Sequence, residues 1–164
     1  MITKGHLAAS MLRECDIAKH LFTKIPEGTF DYRPTPDQRS TLELLRYLAI
    51  CGIGGIRAME ANDLMVVNEY KEQVAEMAAA EFPEAMDRQK AQIREYFDKV
   101  DERALETMEA KLPGAGSMPL DVALMNGPLK WLTAYRMQLF LYAKASGAAD
   151  IGTANVWAGI DWRG

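Results

Sequence analysis

The segment that decides the fold is Ser40-Thr41-Leu42-Glu43-Leu44-Leu45-Arg46-Tyr47-Leu48-Ala49-Ile50-Cys51-Gly52-Ile53-Gly54-Gly55-Ile56. Ser40 or Thr41 with Glu43 in the next turn is typical of a helix start, because such side chains cap free backbone N–H groups and an acid complements the helix dipole. Apolar residues then recur at steps of three and four, which predicts a helix with one buried face. The three glycines weaken this helix, which indicates either close approach of another backbone or a local bend.

Three further long helices are predicted around this segment. The first carries an apolar stripe from Leu7 to Ile25 and ends near Pro26-Glu27-Gly28, before a proline-rich connection at 30–37. The third begins at Pro83 and extends to Met108, with an interruption near Asp101. The fourth is opened by Pro128 and ends at Gly147.

The remaining segments carry weaker patterns. Positions 63–68 are expected to form a loop, followed by a short helix from Tyr70 to Ala80, and Pro113 to Ser117 breaks the helical pattern before an apolar turn at 120–125. The tail from Asp150 to Gly164 is expected to be irregular, with Trp157 or Trp162 packed on the bundle or on a neighbour. No segment shows the alternation of a convincing strand.

The pattern as a whole predicts an all-α fold, a four-helix bundle with long connections and an irregular C-terminal tail. A chain of 164 residues fits a single domain, 1–164, that buries a sizeable core.

Composition argues against several classes of partner. The formal net charge is −4, and basic residues alternate with acids, so no nucleic-acid partner is expected. No apolar run approaches the ~20 residues needed to cross a bilayer, and the first residues lack the pattern of a signal peptide, so we expect no membrane partner and a cytoplasmic location. Cys15 and Cys51 have no Cys-x-x-Cys spacing and are expected to be free, buried thiols.

Histidine chemistry is limited to two residues. His6 and His20 are fourteen positions apart on one predicted helix, which separates them by about 21 Å along its axis. Two such residues cannot share a metal ion within one helix, and nucleotide-binding and hydrolase motifs are absent from the sequence. No cofactor and no resident metal are therefore predicted.

Two segments resemble the DinB/YfiT-like family. Tyr32-Arg33-Pro34 followed by Arg39-Ser40-Thr41-Leu42-Glu43-Leu44-Leu45-Arg46-Tyr47-Leu48-Ala49 is similar to the opening of that family's second helix, which has a histidine where Tyr47 stands. Trp131-Leu132-Thr133-Ala134-Tyr135-Arg136-Met137-Gln138 is similar to the family's His-x-x-x-His-Arg-x-Gln stretch on the fourth helix. The resemblance implies a four-helix bundle that is often a homodimer and typically holds a divalent metal with three histidines. Some relatives are thiol-dependent transferases or hydrolases of small molecules.

The substitutions at these positions suggest two functions. Tyr47, Trp131 and Tyr135 either line a small aromatic pocket or fill the core, since tryptophan lacks a metal-binding lone pair and a neutral phenol is a poor ligand. Both readings give a degenerate metal site in a non-catalytic protein that binds a small ligand or acts as a scaffold. The alternative is a metal- or thiol-dependent transferase or hydrolase with a non-standard site, because Glu43, Tyr47 and Cys51 follow at four-residue steps on one helix face. The homodimer is expected from the resemblance and from the apolar residues, ten methionines among them, available to cover an interface.

Overall fold

Four long helices form the body of the protein, in a computed structural model that describes residues 3–162. They are α1 (Lys4–Phe22), α2 (Thr41–Ala61), α4 (Phe82–Lys99) and α7 (Lys130–Ala145). Three short helices accompany them: α3 (Val66–Gln73), α5 (Glu102–Thr107) and α6 (Leu120–Leu124). Helix α1 packs on α4 and α7, and α2 packs on the same two helices, so the bundle runs α1, α4, α2, α7 around its axis. The predicted all-α bundle is confirmed.

Helix α2 begins where the sequence predicts. The Ser40 N–H donates to the Glu43 carboxylate at 2.6 Å, and the Glu43 N–H donates to the Ser40 hydroxyl at 3.2 Å, so the two residues satisfy each other's free backbone donors. Asn62 ends the helix in the left-handed conformation at φ 54°. Both ends of α2 are therefore fixed by local hydrogen bonding.

The glycines of α2 mark close approach of other elements. A Cβ on Gly55 would lie 2.8 Å from the Trp131 ring, and one on Gly52 would lie 3.0 Å from the side-chain oxygen of Gln89. Gly54 faces the Tyr70 ring in the same way, at 3.3 Å. The sequence suggested close approach of another backbone or a local bend, whereas the atoms that approach these glycines belong to side chains of neighbouring elements.

The fourth helix differs from the prediction at its start. Pro128 does not open it but lies inside a wide π-helical turn, Met125–Leu129, that joins α6 to α7 without a break. Proline has no N–H to donate, and a π turn accommodates the missing hydrogen bond within a continuing helix. Helical structure therefore extends from Leu120 to Ala145.

Two segments also differ in type or position from the prediction. Two short strands, β1 (Glu109–Leu112) and β2 (Gly116–Pro119), pair in antiparallel fashion where no strand was expected. The predicted short helix at 70–80 lies earlier, at α3, with a single 3₁₀ turn at Ala79–Glu81. The expected interruption near Asp101 is present, because the Asp101 carboxylate caps α5 by accepting from the Arg103 N–H at 2.8 Å.

The C-terminal tail is tied to the bundle by buried polar contacts. Arg136 of α7 is 1% exposed, pairs with Glu14 of α1 at 2.5 Å and donates to the backbone carbonyl of Val156. The tail contains a π turn at Ala154–Ala158, and Trp157 lies with its ring 5.3 Å from the Arg136 guanidinium. Trp162, in contrast, is 79% exposed. No helix within residues 3–162 is long and apolar enough to span a membrane.

Candidate functional site

A pair of tyrosine rings joins α2 to α7. The rings of Tyr47 and Tyr135 meet edge to face, with centroids 4.9 Å apart and planes at 76°. Aromatic pairs prefer this arrangement because the positive edge of one ring faces the negative face of the other. Both residues are half-buried, so the pair closes the bundle interior and leaves part of each ring accessible.

Arg39 covers this pair. Its guanidinium carbon lies 4.3 Å from the Tyr47 ring centroid and 5.4 Å from that of Tyr135. A guanidinium stacked on an aromatic face is attracted by the ring and keeps its N–H groups free at the edge. The two phenols and the guanidinium thus form one compact cluster.

The backbone of Arg39 is held from α7. The Tyr142 hydroxyl donates to the Arg39 carbonyl at 3.1 Å and accepts from the Gln138 side-chain amide at 2.6 Å. The Tyr32 ring packs edge to face on Tyr142, with centroids 5.4 Å apart. Arg39 is therefore positioned before α2 begins. No pattern in the sequence indicates a role for Arg39, although it lies in the segment that carries the family resemblance.

An open cleft of about 340 Å³ adjoins the cluster, between the start of α2 and the end of α3. We call it the cationic cleft; its lining residues are Arg39, Glu43, Arg46, Tyr47, Lys71, Val74 and Ala75. Lys71 places its ammonium 5.8 Å from the centroid of the Tyr47 ring. Of the five residues predicted from sequence to bind a ligand, Glu43 and Tyr47 line this cleft, and Tyr135 lies directly behind it.

The acid of the cleft has charged and hydrogen-bonding partners, whereas the cations lack carboxylate partners among the described residues. Within residues 3–162, none of Arg39, Arg46 and Lys71 has a carboxylate partner at ion-pair distance. The only acid in the lining is Glu43, which accepts from the Ser40 N–H and pairs with Arg33 at 3.3 Å. The Ser40 N–H lowers the pKa of the Glu43 carboxyl, with a smaller contribution from the Arg33 charge, so Glu43 is negative at neutral pH.

Trp131 lies beside the tyrosine pair rather than in the cleft. Its ring packs against Gly55 and lies within 4 Å of a Cβ built on Gly127 in the π turn, and it is half-buried. It is one helical turn before Tyr135 on α7, on the same side of the helix. Trp131 therefore extends the aromatic wall away from the cleft opening.

Cys51 is enclosed in the core. Its side chain is fully buried, and its sulfur lies 3.9 Å from the Leu48 carbonyl oxygen. Burial raises the pKa of the Cys51 thiol far above its usual range and raises that of Cys15 to about 12. Glu43, Tyr47 and Cys51 share one side of α2, but only Glu43 and Tyr47 line the cleft. Cys51 lies one turn further along α2, where the helix is covered by the rest of the bundle.

The two histidines serve local structure. His6 takes part in the capping box of α1 with Thr3, and His20 lies 3.0 Å from the side-chain nitrogen of Asn155 in the tail. Within residues 3–162, no three His, Cys, Asp or Glu side chains are grouped as a metal would require. Both histidines lie on α1, as the sequence predicts.

A larger cavity, of about 1050 Å³, lies between the tail and the end of α1. Its lining contains one cation, Lys24, which pairs with Asp161 at 2.6 Å, and a second acid, Asp150. Most of the remaining lining is loop backbone and small side chains. Trp157 and Trp162 border it and are largely exposed. The cationic cleft is smaller, but none of its cations pairs with a carboxylate in the described part of the chain, and it is therefore the candidate site.

Comparisons with known proteins agree with the fold. No family model and no curated protein matches the chain. Among solved structures, the DinB-like protein YjoA from Bacillus subtilis superposes with a TM-score of 0.67 over 86% of this chain and 92% of that chain, at 13% identity. At this identity the similarity shows a DinB-like fold and carries no information about activity.

Proposed function

We propose that this DinB-like protein is a non-catalytic binding protein that takes a small molecule in the cationic cleft. The observation that carries the proposal is the stacking of Arg39 on Tyr47 and Tyr135, next to an open cleft of ligand size. Aromatic rings with a few charged groups directed into a concavity are typical of small-molecule sites. Tyr135 and Trp131 would support the wall of this site, and Tyr47 would touch the ligand.

The same cluster is a poor fit for the divalent metal that the fold family implies. Burial raises the pKa of Tyr47 to about 12, which keeps its phenol neutral and weakens it as a ligand. The indole of Trp131 offers no lone pair, and the Arg39 charge beside both phenols would repel a cation. We therefore propose a degenerate metal site. Metal analysis of the purified protein tests it, and stoichiometric zinc, nickel or iron would overturn it.

Ligand binding is tested by ligand-observed NMR with a panel of small carboxylates, phosphates and neutral aromatic compounds. We expect at least one member of the panel to bind wild-type protein and to lose binding in Tyr47→Ala, because the ring lines the cleft. The matched control is Phe30→Ala, which removes a half-buried ring outside the cleft lining. Equal binding by Tyr47→Ala and wild type would move the site elsewhere and refute the proposal.

The thiol-dependent alternative predicts a reactive Cys51, and the contacts of Cys51 oppose it. A thiol attacks as its thiolate, and burial raises the Cys51 pKa, so little thiolate exists at neutral pH. We expect the native protein to react with Ellman's reagent only as fast as it unfolds, for Cys15 and Cys51 alike. Rapid modification of Cys51 in folded protein would favour the enzymatic alternative.

We also propose that the chain forms a homodimer. The proposal is supported by the resemblance to a family of frequent homodimers and by exposed apolar side chains, among them Leu141 at 56% and Met65 at 67%. Static light scattering at micromolar concentration tests it. A mass of one chain would refute the dimer and leave the cationic cleft unaffected.

A further inference from the structure

The cationic cleft has a net charge opposite in sign to that of the whole protein. The chain carries a formal net charge of −4, yet the cleft lining contains three cations and one acid. That acid, Glu43, is already engaged by Arg33 and by the Ser40 N–H. The cleft is therefore a local region of positive potential on an acidic protein, and such a region concentrates small anions.

Each cation has donors to spare. Arg39 uses its face on Tyr47, which leaves the edge N–H groups of the guanidinium available for a bidentate contact. Arg46 donates through Nε to the Met77 carbonyl at 2.9 Å, which fixes its direction, and its two terminal nitrogens have no hydrogen-bond partner among residues 3–162. Lys71 donates to the Asn68 side chain at 3.1 Å and retains two further donors on its ammonium.

The cleft also offers apolar surface of limited extent. Val74 and Ala75 line it beside the Tyr47 ring. A volume of about 340 Å³ is at the small end of ligand sites and suits a group of about one ring. The site thus combines fixed donors for an anionic group with a wall for a short hydrocarbon or aromatic part.

We propose that the cleft binds a small organic anion, whose carboxylate or phosphate is held by Arg39, Arg46 and Lys71 and whose apolar part packs on Tyr47 and Val74. This inference rests on the proposed function, to which it adds the chemical class of the ligand. The two anionic groups share the same recognition chemistry, because both match the fork of a guanidinium.

Isothermal titration with three one-ring probes tests the charge requirement. Benzoate and phenyl phosphate carry the two anionic groups, and benzamide is the neutral counterpart of benzoate. We expect at least one anion to bind about tenfold or more tightly than benzamide, as for loss of a charge-assisted hydrogen bond. Added salt should weaken the anion only. Tyr47-dependent binding of benzamide as tight as that of both anions would refute the anion inference and leave the proposed function standing. If no probe binds, the anion inference fails, and the wider panel decides the proposed function.

Charge variants locate the site. Arg39→Gln and Lys71→Gln are each expected to weaken anion binding by about tenfold. The matched controls Arg13→Gln and Lys111→Gln remove exposed cations outside the cleft and should bind as wild type does. Unchanged binding in both cleft variants would refute the inference. Circular dichroism checks that each variant is folded.

Glu43→Gln provides a test that a folding defect cannot imitate. Glutamine preserves the capping box, so α2 should start at the same residue. Removing the only acid of the lining should tighten anion binding several-fold, because it removes a repulsive charge. Weaker anion binding in Glu43→Gln would contradict an anionic ligand.

Discussion

Gln89 is a polar residue at the centre of an apolar core. Its side chain is 1% exposed, and its amide oxygen accepts from the Gly52 N–H at 2.8 Å and from the Ile53 N–H at 3.2 Å. Its amide nitrogen donates to the Leu48 carbonyl at 2.9 Å. One side chain of α4 thus bonds both ends of an i to i−4 backbone pair in α2, which joins the two helices through hydrogen bonds as well as packing.

Gln89→Met should destabilise the protein by about 1–3 kcal/mol, since methionine conserves volume and leaves buried backbone groups without their side-chain partner. The measurement is the free energy of unfolding in urea. Gln138→Met is the comparison, because that side chain is only partly buried and makes its hydrogen bond to Tyr142. Equal effects of the two substitutions would show that burial of the Gln89 amide carries no special weight.

His20 gives stability a defined pH dependence. The Asn155 amide oxygen accepts from the Gly152 N–H, so its nitrogen faces His20 and requires an unprotonated ring nitrogen as acceptor. Burial lowers the pKa of His20 below 6.5, and the Lys24 charge adds to this against the opposing Asp161 charge. The unfolded chain therefore binds the proton more readily than the folded one. The contribution of His20 is fully present above pH 6.5 and is lost as the pH falls through the folded-state pKa.

An NMR titration of the His20 ring should give a midpoint below 6.5, and urea unfolding should show a smaller loss of stability on acidification in His20→Gln than in wild type. A midpoint above 6.5 would mean that the Asp161 carboxylate outweighs burial at this ring.

At the scale of residues, the sequence predicts some contacts better than others. Tyr47 and Tyr135 could be singled out because the family resemblance marks their positions. Arg39 could not, because its place depends on the Tyr142 hydroxyl 103 positions away, and no local spacing distinguishes it from other basic residues. The expectation that Cys51 is a free, buried thiol is confirmed. Its four-residue spacing from Tyr47 suggests a shared cleft only on a helical projection, which does not show which helices cover α2.

The packing of helix α2 depends on small residues. A Cβ on Gly55 would lie 2.8 Å from the Trp131 ring and 3.0 Å from the Pro128 ring, both held in place by the helical backbone. Gly5 in α1 is a matched case without this constraint, since its nearest contact would be the Thr3 hydroxyl at 3.7 Å.

Gly55→Ala should therefore destabilise the protein by about 1–3 kcal/mol through overpacking. Gly5→Ala should be neutral or stabilising by up to about 1 kcal/mol, because alanine is the better helix former. Thermal unfolding of both variants measures the difference. Similar melting temperatures for the two would show that Trp131 can move away from α2 at little cost.

Elements differ in how far the sequence predicts them. The start of α2 follows from a capping box between neighbours, and α5 begins where Asp101 caps it. The hairpin of β1 and β2 was missed because its strands are four residues each, and its turn depends on Gly114 and Gly116 at positive φ. Pro128 predicts a helix start because proline is common in the first turn, whereas in the structure the helix continues through it by way of the π turn.

At the scale of the whole molecule, the C-terminal tail closes the bundle. It supplies the Val156 carbonyl to the buried Arg136 and the Ile151 carbonyl to Lys144 at 2.9 Å. It also contributes the Asn155 contact to α1. The tail is therefore a structural part of the fold in spite of its irregular backbone. The location in the cytoplasm and the single-domain organisation stay predictions from the sequence.

Truncation after Ala149 should cost about 2 kcal/mol or more in unfolding free energy, because it leaves Arg136 with a buried donor unpaired. Truncation after Asp161 should change stability by less than about 0.5 kcal/mol, since Trp162 is 79% exposed. Chemical unfolding of the two truncated chains measures the contrast. Equal stability of the Ala149 truncation and the full chain would show that solvent replaces the tail's hydrogen bonds without loss.

The π turn at Met125–Leu129 determines in which direction around the helix axis the side chains of α7 point. Each α-helical residue advances the side-chain direction by about 100°, and a π turn takes one more residue than an α turn to close. The direction in which Trp131 and Tyr135 point from the helix axis is thus set by five residues that do not line the cleft. Removing one residue from that turn would rotate both rings away from α2 together. The position of the Tyr135 ring beneath Arg39 therefore depends on residues that come before it in the chain and do not touch Arg39.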